Sequence, residues 1–298
     1  MLMEEQDIYF EPGPFFVETG EKMNDKRVLT IQDISCVGQC SLTVALPIIS
    51  ACGLETAILP SAVLSNHTGG FKSWTFRDLT DDMPLIEQKW IDEGIRFDAI
   101  YTGYLGSARQ IDIVKHIFAT CSKPGCLHIV DPAMADNGVL YTGFDMDFVK
   151  EMAKLCAVAD YVLPNITEAS LITGMEYKET YDRAYVTEIV EKLVSLGAKS
   201  VILTGVSYEP KTTGVVVYEN GKQEYYQHYR LPKGSHGTGD VYASSFTGAL
   251  MHGCSSYEAA KIAADYTVKC IENTVDDPDH WYGVKFESVL PELIRALN

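Results

Sequence analysis

From residue 27 onwards, short runs of apolar residues alternate with longer stretches whose apolar residues recur at helical spacing. The short runs predict buried strands at residues 28–31, 56–59, 97–101, 127–130, 161–163 and 200–203. The longer stretches predict helices at residues 41–51, 108–119, 148–158 and 185–195. This alternation is typical of βαβ units, in which helices cover both faces of a mostly parallel sheet.

The pattern changes after residue 203. Residues 213–218 and 223–229 flank the turn Glu219-Asn220-Gly221, which predicts a small antiparallel hairpin. Helices are predicted at residues 238–251, at 256–272 and near 286–297. No linker interrupts this series, so residues 27–298 are expected to form a single domain. Residues 1–26 lack periodicity and predict an N-terminal extension, either flexible or docked on a neighbour.

Composition narrows the range of partners. The chain has 24 Lys and Arg against 41 Asp and Glu, a net charge of −17, which opposes binding to nucleic acid or to an anionic membrane. Nucleotides remain possible ligands, because helix N-termini, a few basic side chains and metal ions can gather locally. Eight cysteines without a C-x-x-C pair indicate reduced thiols. With no long apolar run and no pattern of a signal peptide, we expect a cytoplasmic protein.

A glycine-rich turn, Gly237-Thr238-Gly239, leads into Asp240 and a predicted helix. Glycines allow backbone amides to surround an anion, and the N-terminus of a helix favours negative charge. A carboxylate beside an anion site is understandable if Asp240 takes a proton from a hydroxyl that attacks a phosphoryl group. The sequence therefore predicts a small-molecule kinase, although it contains neither a Walker A motif nor the signatures of protein kinases.

Polar clusters follow five of the predicted strands, at the ends where open parallel sheets bind ligands. Singly, each cluster could be a helix cap or a turn, but five on one rim predict a site. Asn165 and Glu168 fit a capping box as well as they fit a Mg²⁺ shell reached through water, and both interpretations stay open. Residues 65–70 predict either a surface loop or a flap in which Asn66 or Thr68 hydrogen-bonds a heteroaromatic ring. The clusters are residues 32–35, 102–104, 131–136, 164–168 and 204–205.

From residue 27 to residue 298, the chain resembles the ribokinase-like superfamily and, within it, the pyridoxal kinases. The motif at residues 237–240 is the signature of the superfamily, and Ser65-Asn66-His67-Thr68-Gly69 is similar to the vitamin B6 branch. The resemblance implies a three-layer α/β/α sandwich with a mostly parallel central sheet and a small antiparallel hairpin. Further matches are Thr102-Gly103-Tyr104, Asp131-Pro132-Ala133-Met134 and Pro164-Asn165-x-x-Glu168.

The same resemblance implies ATP-dependent phosphorylation of the 5′-hydroxymethyl group of a B6 vitamer, with Asp240 as the base. It implies an anion hole formed by Gly237, Thr238 and Gly239. It also implies Mg²⁺, a monovalent cation such as K⁺, and a homodimer. The substrate would contact Ser35, Asn66, Thr68 and Tyr104. The ATP phosphates would lie near Asp136, Thr204 and Thr238, and the metal near Asn165, Glu168 and Asp136.

One departure from the pyridoxal kinases lies after the first predicted strand. The loop at residues 32–39 is shorter than in that branch and carries Asp33, so either Ser35 or Asp33 takes the place of the family's ring-contacting serine. An acid in a short loop is similar to the hydroxymethylpyrimidine kinases, which makes such a kinase the first alternative. A vitamer-binding protein without turnover is the second, and the intact motif ending in Asp240 argues against it.

Overall fold

The computed structural model describes residues 25–231 and 236–298. The described residues contain eleven strands, and the central parallel ones form where short apolar runs reach the interior. They are β1 (Arg27–Ser35), β2 (Glu55–Leu64), β3 (Phe76–Asp78), β4 (Phe97–Thr102), β5 (Ser122–Val130), β6 (Ala135–Asp136), β7 (Val139–Leu140), β8 (Tyr161–Val162), β9 (Ser200–Val206), β10 (Thr212–Glu219) and β11 (Lys222–Tyr229).

Nine of these strands form one sheet, in the order β11-β10-β9-β8-β5-β4-β1-β2-β3. The six strands from β9 to β2 run parallel to one another. Strand β3 at one edge and the β10–β11 hairpin at the other are antiparallel. The remaining strands, β6 and β7, pair separately. The prediction of a mostly parallel sheet with a small antiparallel hairpin is confirmed.

Helices cover both faces of the sheet, because successive strand residues point to opposite sides. Leu29 and Ile100 face one apolar cluster, which includes residues of α2 to α6, whereas Val28 and Ala99 face the other, which includes residues of α1 and α7 to α9. The three layers therefore match the predicted sandwich. The helices are α1 (Leu42–Ala51), α2 (Met83–Asp92), α3 (Ala108–Thr120), α4 (Met146–Cys156), α5 (Ile166–Thr173), α6 (Arg183–Ser195), α7 (Thr238–His252), α8 (Ser256–Glu272) and α9 (Leu290–Leu297).

Two boundaries differ from the sequence prediction in ways that have a physical reason. Strand β1 continues to Ser35, since a register irregularity between Gln32 and Ile34 keeps it paired with β2. The predicted loop at residues 32–39 is therefore half strand. The helix predicted near residues 286–297 is split into a 3₁₀ turn at Glu287–Val289 and α9. Pro291 explains the break, because a residue without an N–H fits only the first turn of a helix.

Three further predictions concern the N-terminal extension, the state of the cysteines and membrane-spanning segments. Of the predicted N-terminal extension, residues 1–24 lie outside the described residues. All eight cysteines are described, and each is a free thiol. In the described part of the chain, no helix is long and apolar enough to cross a membrane.

Candidate active site

The carboxyl ends of the parallel strands meet at one edge of the sheet, which places the predicted polar clusters along a single rim. The backbone N–H of Asp131, after β5, donates to the carbonyl of Thr102 at the end of β4 at 2.9 Å. Further along the rim, Thr204 and Asn165 form a parallel bridge, and the N–H of Thr204 donates to the carbonyl of Pro164 at 2.9 Å. The rim is thus a continuous backbone scaffold for the candidate site.

The N-terminus of α7 lies against the segment between β1 and α1, beside Gln39 and Ser41. Gly237 precedes the helix in the left-handed conformation, with φ at 77°, and a Cβ there would lie 1.7 Å from the carbonyl oxygen of Gln39. Thr238 and Gly239 form the start of the helix, and a Cβ on Gly239 would meet nothing within 4 Å. The cap residue Gly237 has no side chain that could cap this end of α7. The start of a helix of this kind suits the anion site predicted at residues 237–239.

Asp240 is the third residue of α7 and is half-buried. The pKa of its carboxyl group is raised to about 7, mainly by burial; a hydrogen bond from the backbone of Ser41 lowers the pKa, and the nearby Asp33 carboxyl group raises it. A base whose pKa lies near the working pH combines an adequate ionised fraction with a useful driving force for proton transfer. The position and protonation of Asp240 therefore suit a general base.

Three more acids on the rim share this environment. Burial is the main reason that the pKa values of Asp33, Asp131 and Glu168 are raised, that of Glu168 to about 7. Glu168 and Asp240 raise the pKa of Asp131 further by charge repulsion. Among the described residues, none of these acids pairs with a Lys or Arg. The rim is short of positive charge, and a bound cation would favour the ionised acids.

Asn165 and Glu168 form a capping box at the start of α5. The N–H of Glu168 donates to Asn165 Oδ1 at 2.9 Å, and the N–H of Asn165 donates to Glu168 Oε2 at 2.9 Å. The remaining polar atoms are also engaged, because Asn165 Nδ2 donates to the carbonyl of Ala135 at 2.8 Å and the N–H of Met134 donates to Glu168 Oε1 at 3.1 Å. The capping interpretation is thus realised in the structure.

The metal interpretation of these residues depends on the acids around them. In the described residues, no three His, Cys, Asp or Glu side chains converge closely enough to hold a metal ion directly. Asp136 is exposed in the β6–β7 turn, where its carboxylate accepts hydrogen bonds from Asn137. Uncompensated carboxylates at Glu168 and Asp131, with Asp136 nearby, nevertheless fit a Mg²⁺ ion reached through water. That role stays a prediction.

Replacing Asn165 with Ala separates capping from metal binding. The loss of the cap should lower the free energy of unfolding by about 1 kcal/mol, measured by urea denaturation. Ser255→Ala is the matched control, because Ser255 and Glu258 form the same capping box at α8. If Asn165 also organises the metal, its variant should lose turnover that Ser255→Ala keeps. Equal turnover in the two variants would leave Asn165 with a structural role only.

On the substrate side of the rim, Asp33, Ser35 and Tyr104 lie together. Ser35 Oγ donates to Asp33 Oδ2 at 3.0 Å, and the Asp33 charge contributes to a raised pKa of Tyr104, whose main cause is burial. The Tyr104 ring packs against Phe144 at 5.5 Å between centroids. Asp33 and Ser35 are buried, and Tyr104 is the partly exposed side chain of the three.

The predicted flap at residues 65–70, with Phe71 beside it, contacts aromatic residues that are far away in the sequence. The His67 ring lies 5.5 Å from the His236 ring, and burial, with the His236 charge, lowers the pKa of His67. Phe71 packs on Trp281 with 4.7 Å between the ring centroids.

Of the two flap residues predicted to contact the substrate, Asn66 is already engaged: its side-chain amide donates to the carbonyls of His67 and Ser73, each at 3.1 Å. Thr68 is exposed. Sequence reasoning missed Trp281 and Gln39, since their neighbours are remote in the chain.

Stability should depend on pH because of these acids. Asp240 and Glu168 have folded pKa values of about 7, above the ordinary range near 4. The folded state thus binds these protons more tightly, so their stabilising effect is complete below about pH 4 and is lost as the pH rises through about 7. The free energy of unfolding should fall from about pH 5 to about pH 8, and Asp240→Asn should reduce that slope. An unchanged slope in the variant would contradict the raised pKa.

A family model and several known proteins that resemble this chain all point to one family of kinases. The model of the phosphomethylpyrimidine kinase family matches residues 49–283. A candidate phosphomethylpyrimidine kinase from Bacteroides thetaiotaomicron, crystallised with pyridoxal, is 39% identical, with a TM-score of 0.85 over 90% of this chain and 95% of that chain. Pyridoxal kinase from Lactobacillus plantarum is 30% identical, with a TM-score of 0.84 over 91% and 97% of the two chains.

A third relative is the pyridoxine/pyridoxal/pyridoxamine kinase of Bordetella avium. It is 27% identical over 263 residues, which are 83% of this chain and 85% of that protein. The family model spans most of the chain, including the ends of β4, β5, β8 and β9 and the start of α7, but it begins after β1. The predicted ribokinase-like fold and the resemblance to pyridoxal kinases are confirmed. The chain therefore belongs to the phosphomethylpyrimidine kinase family and is a kinase related to the pyridoxal kinases.

Proposed function

We propose that this kinase transfers the γ-phosphoryl group of ATP to the 5′-hydroxymethyl oxygen of a vitamin B6 vitamer, in the salvage of pyridoxal 5′-phosphate. The observation that carries the proposal is Asp240, a carboxyl group with a pKa of about 7 in the first turn of α7, directly after the glycine that precedes this helix. A base near neutrality and an anion site within one turn of helix are what an alcohol kinase requires.

The transfer follows from this arrangement. Asp240 accepts the proton of the substrate hydroxyl while the oxygen forms a bond to the γ-phosphorus and the bond to the ADP oxygen breaks. The backbone amides at Gly237, Thr238 and Gly239, with the dipole of α7, stabilise the negative charge on the transferring group. Since these groups are fixed before the substrate arrives, most of the acceleration comes from positioning and electrostatics.

The positions of the other predicted residues along the rim suggest which part of the substrate, the nucleotide or the metal each would contact. We assign the ring of the substrate to Ser35, Tyr104 and the flap residues Asn66 and Thr68. The ATP phosphates would lie toward Thr204 and Thr238, the latter at the first position of α7. Asn165, Glu168 and Asp136 would organise a Mg²⁺ ion through water, and the ion would supply positive charge at the phosphates. A monovalent cation such as K⁺ and a homodimer remain predictions.

The position of the new phosphate tests this proposal. The protein is incubated with ATP, Mg²⁺, K⁺ and pyridoxine, and the product is examined by ³¹P NMR coupled to the protons of each hydroxymethyl group. We expect a phosphomonoester on the 5′ oxygen. A phosphate on the 4′ oxygen, or ATP hydrolysis without an organic phosphate, would contradict the proposed chemistry.

A hydroxymethylpyrimidine is the second candidate substrate. It is favoured by the matching family model and by the acid Asp33 near Tyr104. The pyrimidine carries the same reactive group, a hydroxymethyl on an aromatic ring, so Asp240 and the anion site would act on it in the same way. Comparison of kcat/KM for the two ring systems distinguishes the candidates.

A further inference from the structure

The segment between α8 and the 3₁₀ turn, residues 273–286, carries Trp281 at the surface. The base of this segment is held by two hydrogen bonds: Asn273 Nδ2 donates to the carbonyl of Lys285 at 2.9 Å, and the N–H of Lys285 donates to Thr274 Oγ1 at 2.8 Å. Trp281 itself is 49% exposed. A loop that is fixed at its base therefore presents a large apolar ring outside the core.

The Trp281 ring contacts the flap at residues 65–70 and the adjoining Phe71. The centroids of the Phe71 and Trp281 rings are 4.7 Å apart, with 54° between the ring planes. A Cβ on Gly70 would lie 3.1 Å from Trp281 Cζ3, so the flap backbone passes directly against the indole. Neither Phe71 nor Trp281 belongs to the two apolar clusters of the described residues. The contact therefore joins two surface segments and is separate from the core.

The same flap lies beside the start of α7. The N–H of His67 donates to the carbonyl of Val37 at 2.8 Å, and a Cβ on Gly38 would lie 2.7 Å from the Cβ of His67. Gln39, the next residue along, packs against Gly237, which precedes α7. The position of the flap is therefore tied to the segment against which the start of α7 rests.

Few contacts hold the flap in this position. The side chains of Ser65 and Asn66 form their hydrogen bonds within the flap or with the residues just after it. Ordering a loop costs conformational entropy, so each remote contact has a large share in keeping the flap in place. Among the described residues, the hydrogen bonds and ring contacts that join residues 65–71 to remote parts of the chain are His67 with Val37, His67 with His236, and Phe71 with Trp281 and Tyr282.

We propose that Trp281 is a positioning residue, whose contact with Phe71 holds the flap beside the start of α7 and thereby sets the affinity for the substrate. The inference rests on the proposed function, because it assumes that the flap covers an aromatic alcohol next to Asp240. A flap that is in place for only a fraction of the time lowers the apparent affinity by that fraction. The chemical step depends instead on Asp240 and the proposed anion site, so kcat should change little.

Calorimetry and steady-state turnover measure the two effects separately. The Kd of pyridoxal is determined without ATP, and kcat and KM are determined with ATP. In Trp281→Ala, the Kd and the KM of pyridoxal should rise about 3- to 10-fold, as expected for the loss of an aromatic pair, while kcat and the KM of ATP stay near those of the unmodified protein. Phe71→Ala should have the same effect, and the double variant should add little more, because both changes remove one contact.

Trp74→Ala is the matched control. Trp74 lies three residues after Phe71 and is 45% exposed, but its ring contacts no other ring of the described residues. This variant should bind pyridoxal as the unmodified protein does. Because Trp74 and Trp281 are similarly exposed, urea denaturation should give nearly the same free energy of unfolding for the two variants.

The outcomes separate the inference from the proposed function. Turnover with unchanged Kd and KM in Trp281→Ala, or fully additive effects in the double variant, would overturn the role of Trp281 and leave the kinase intact. A lower kcat and a lower stability at unchanged Kd would also overturn it, since Trp281 would then have a structural role only. Binding of pyridoxal that is weakened in Trp281→Ala and Phe71→Ala but not in Trp74→Ala, without turnover by any of the proteins, would support the flap contact and contradict the kinase.

Discussion

Replacing Asp240 with Asn should lower kcat by about 10²- to 10⁴-fold, the usual effect of losing a general base. The amide keeps the size and most of the hydrogen bonding of the side chain but cannot accept the hydroxyl proton. The anion site at Gly237–Gly239 is retained, so KM for ATP should change little. The measurement is steady-state turnover in an ATP-coupled assay, across a pH range centred on about 7.

The same variant has a second expected result that a misfolded protein would not show. Because burial makes the ionised Asp240 costly, the neutral amide should leave stability at pH 8 unchanged or slightly increased. The unmodified enzyme should lose activity as the pH falls below about 7, when Asp240 becomes protonated. Turnover near that of the unmodified enzyme, with the same acidic limb, would contradict the assignment of Asp240 as the base.

Replacing Gly237 with Ala should be the most damaging small change in the chain. The residue has φ at 77°, which costs a side chain about 1–2 kcal/mol. A Cβ would also lie 1.7 Å from the Gln39 carbonyl oxygen, so backbone must move on one side or the other. We expect a loss of about 2 kcal/mol or more in the free energy of unfolding, and a fall in kcat/KM of at least about 10²-fold.

Gly239→Ala is the control, because the two glycines belong to the same turn but have different surroundings. A Cβ on Gly239 meets nothing within 4 Å, and alanine is the better helix former. Stability should therefore be kept or raised, whereas the methyl group would occupy the space assigned to the transferring phosphoryl group and lower turnover. Full activity in Gly239→Ala would contradict an anion hole at this residue, and an unaffected Gly237→Ala would contradict the packing against Gln39.

The fold followed largely from local patterns in the sequence. Helix α8 spans the predicted residues 256–272, because Ser255 and Glu258 mark its start and its apolar spacing is regular. Helix α2 was not predicted, since only two of its residues, Met83 and Glu87, are buried and one of them is an acid. The end of β1 was also missed, because polar residues within a strand give no apolar signal.

The candidate site was predictable only where its residues are consecutive. Gly237–Asp240 place the turn, the proposed anion site and the proposed base in four consecutive positions, and so could be singled out in the sequence. The relation of Asp33 to Tyr104 depends on the packing of β1 beside β4, and that of Phe71 to Trp281 joins parts of the chain some 200 residues apart. Contacts of this kind arise from topology, which a local pattern does not contain.

Coupled ATP turnover on pyridoxal, pyridoxamine, pyridoxine and hydroxymethylpyrimidine, with Mg²⁺ and K⁺ present, tests the central claim most directly. The measurement compares the unmodified protein with Asp240→Asn in parallel. We predict turnover on the B6 vitamers and its near-complete loss in the variant. Turnover on the pyrimidine alone would reassign the substrate. No ATP turnover with any of the four compounds would contradict the proposed kinase.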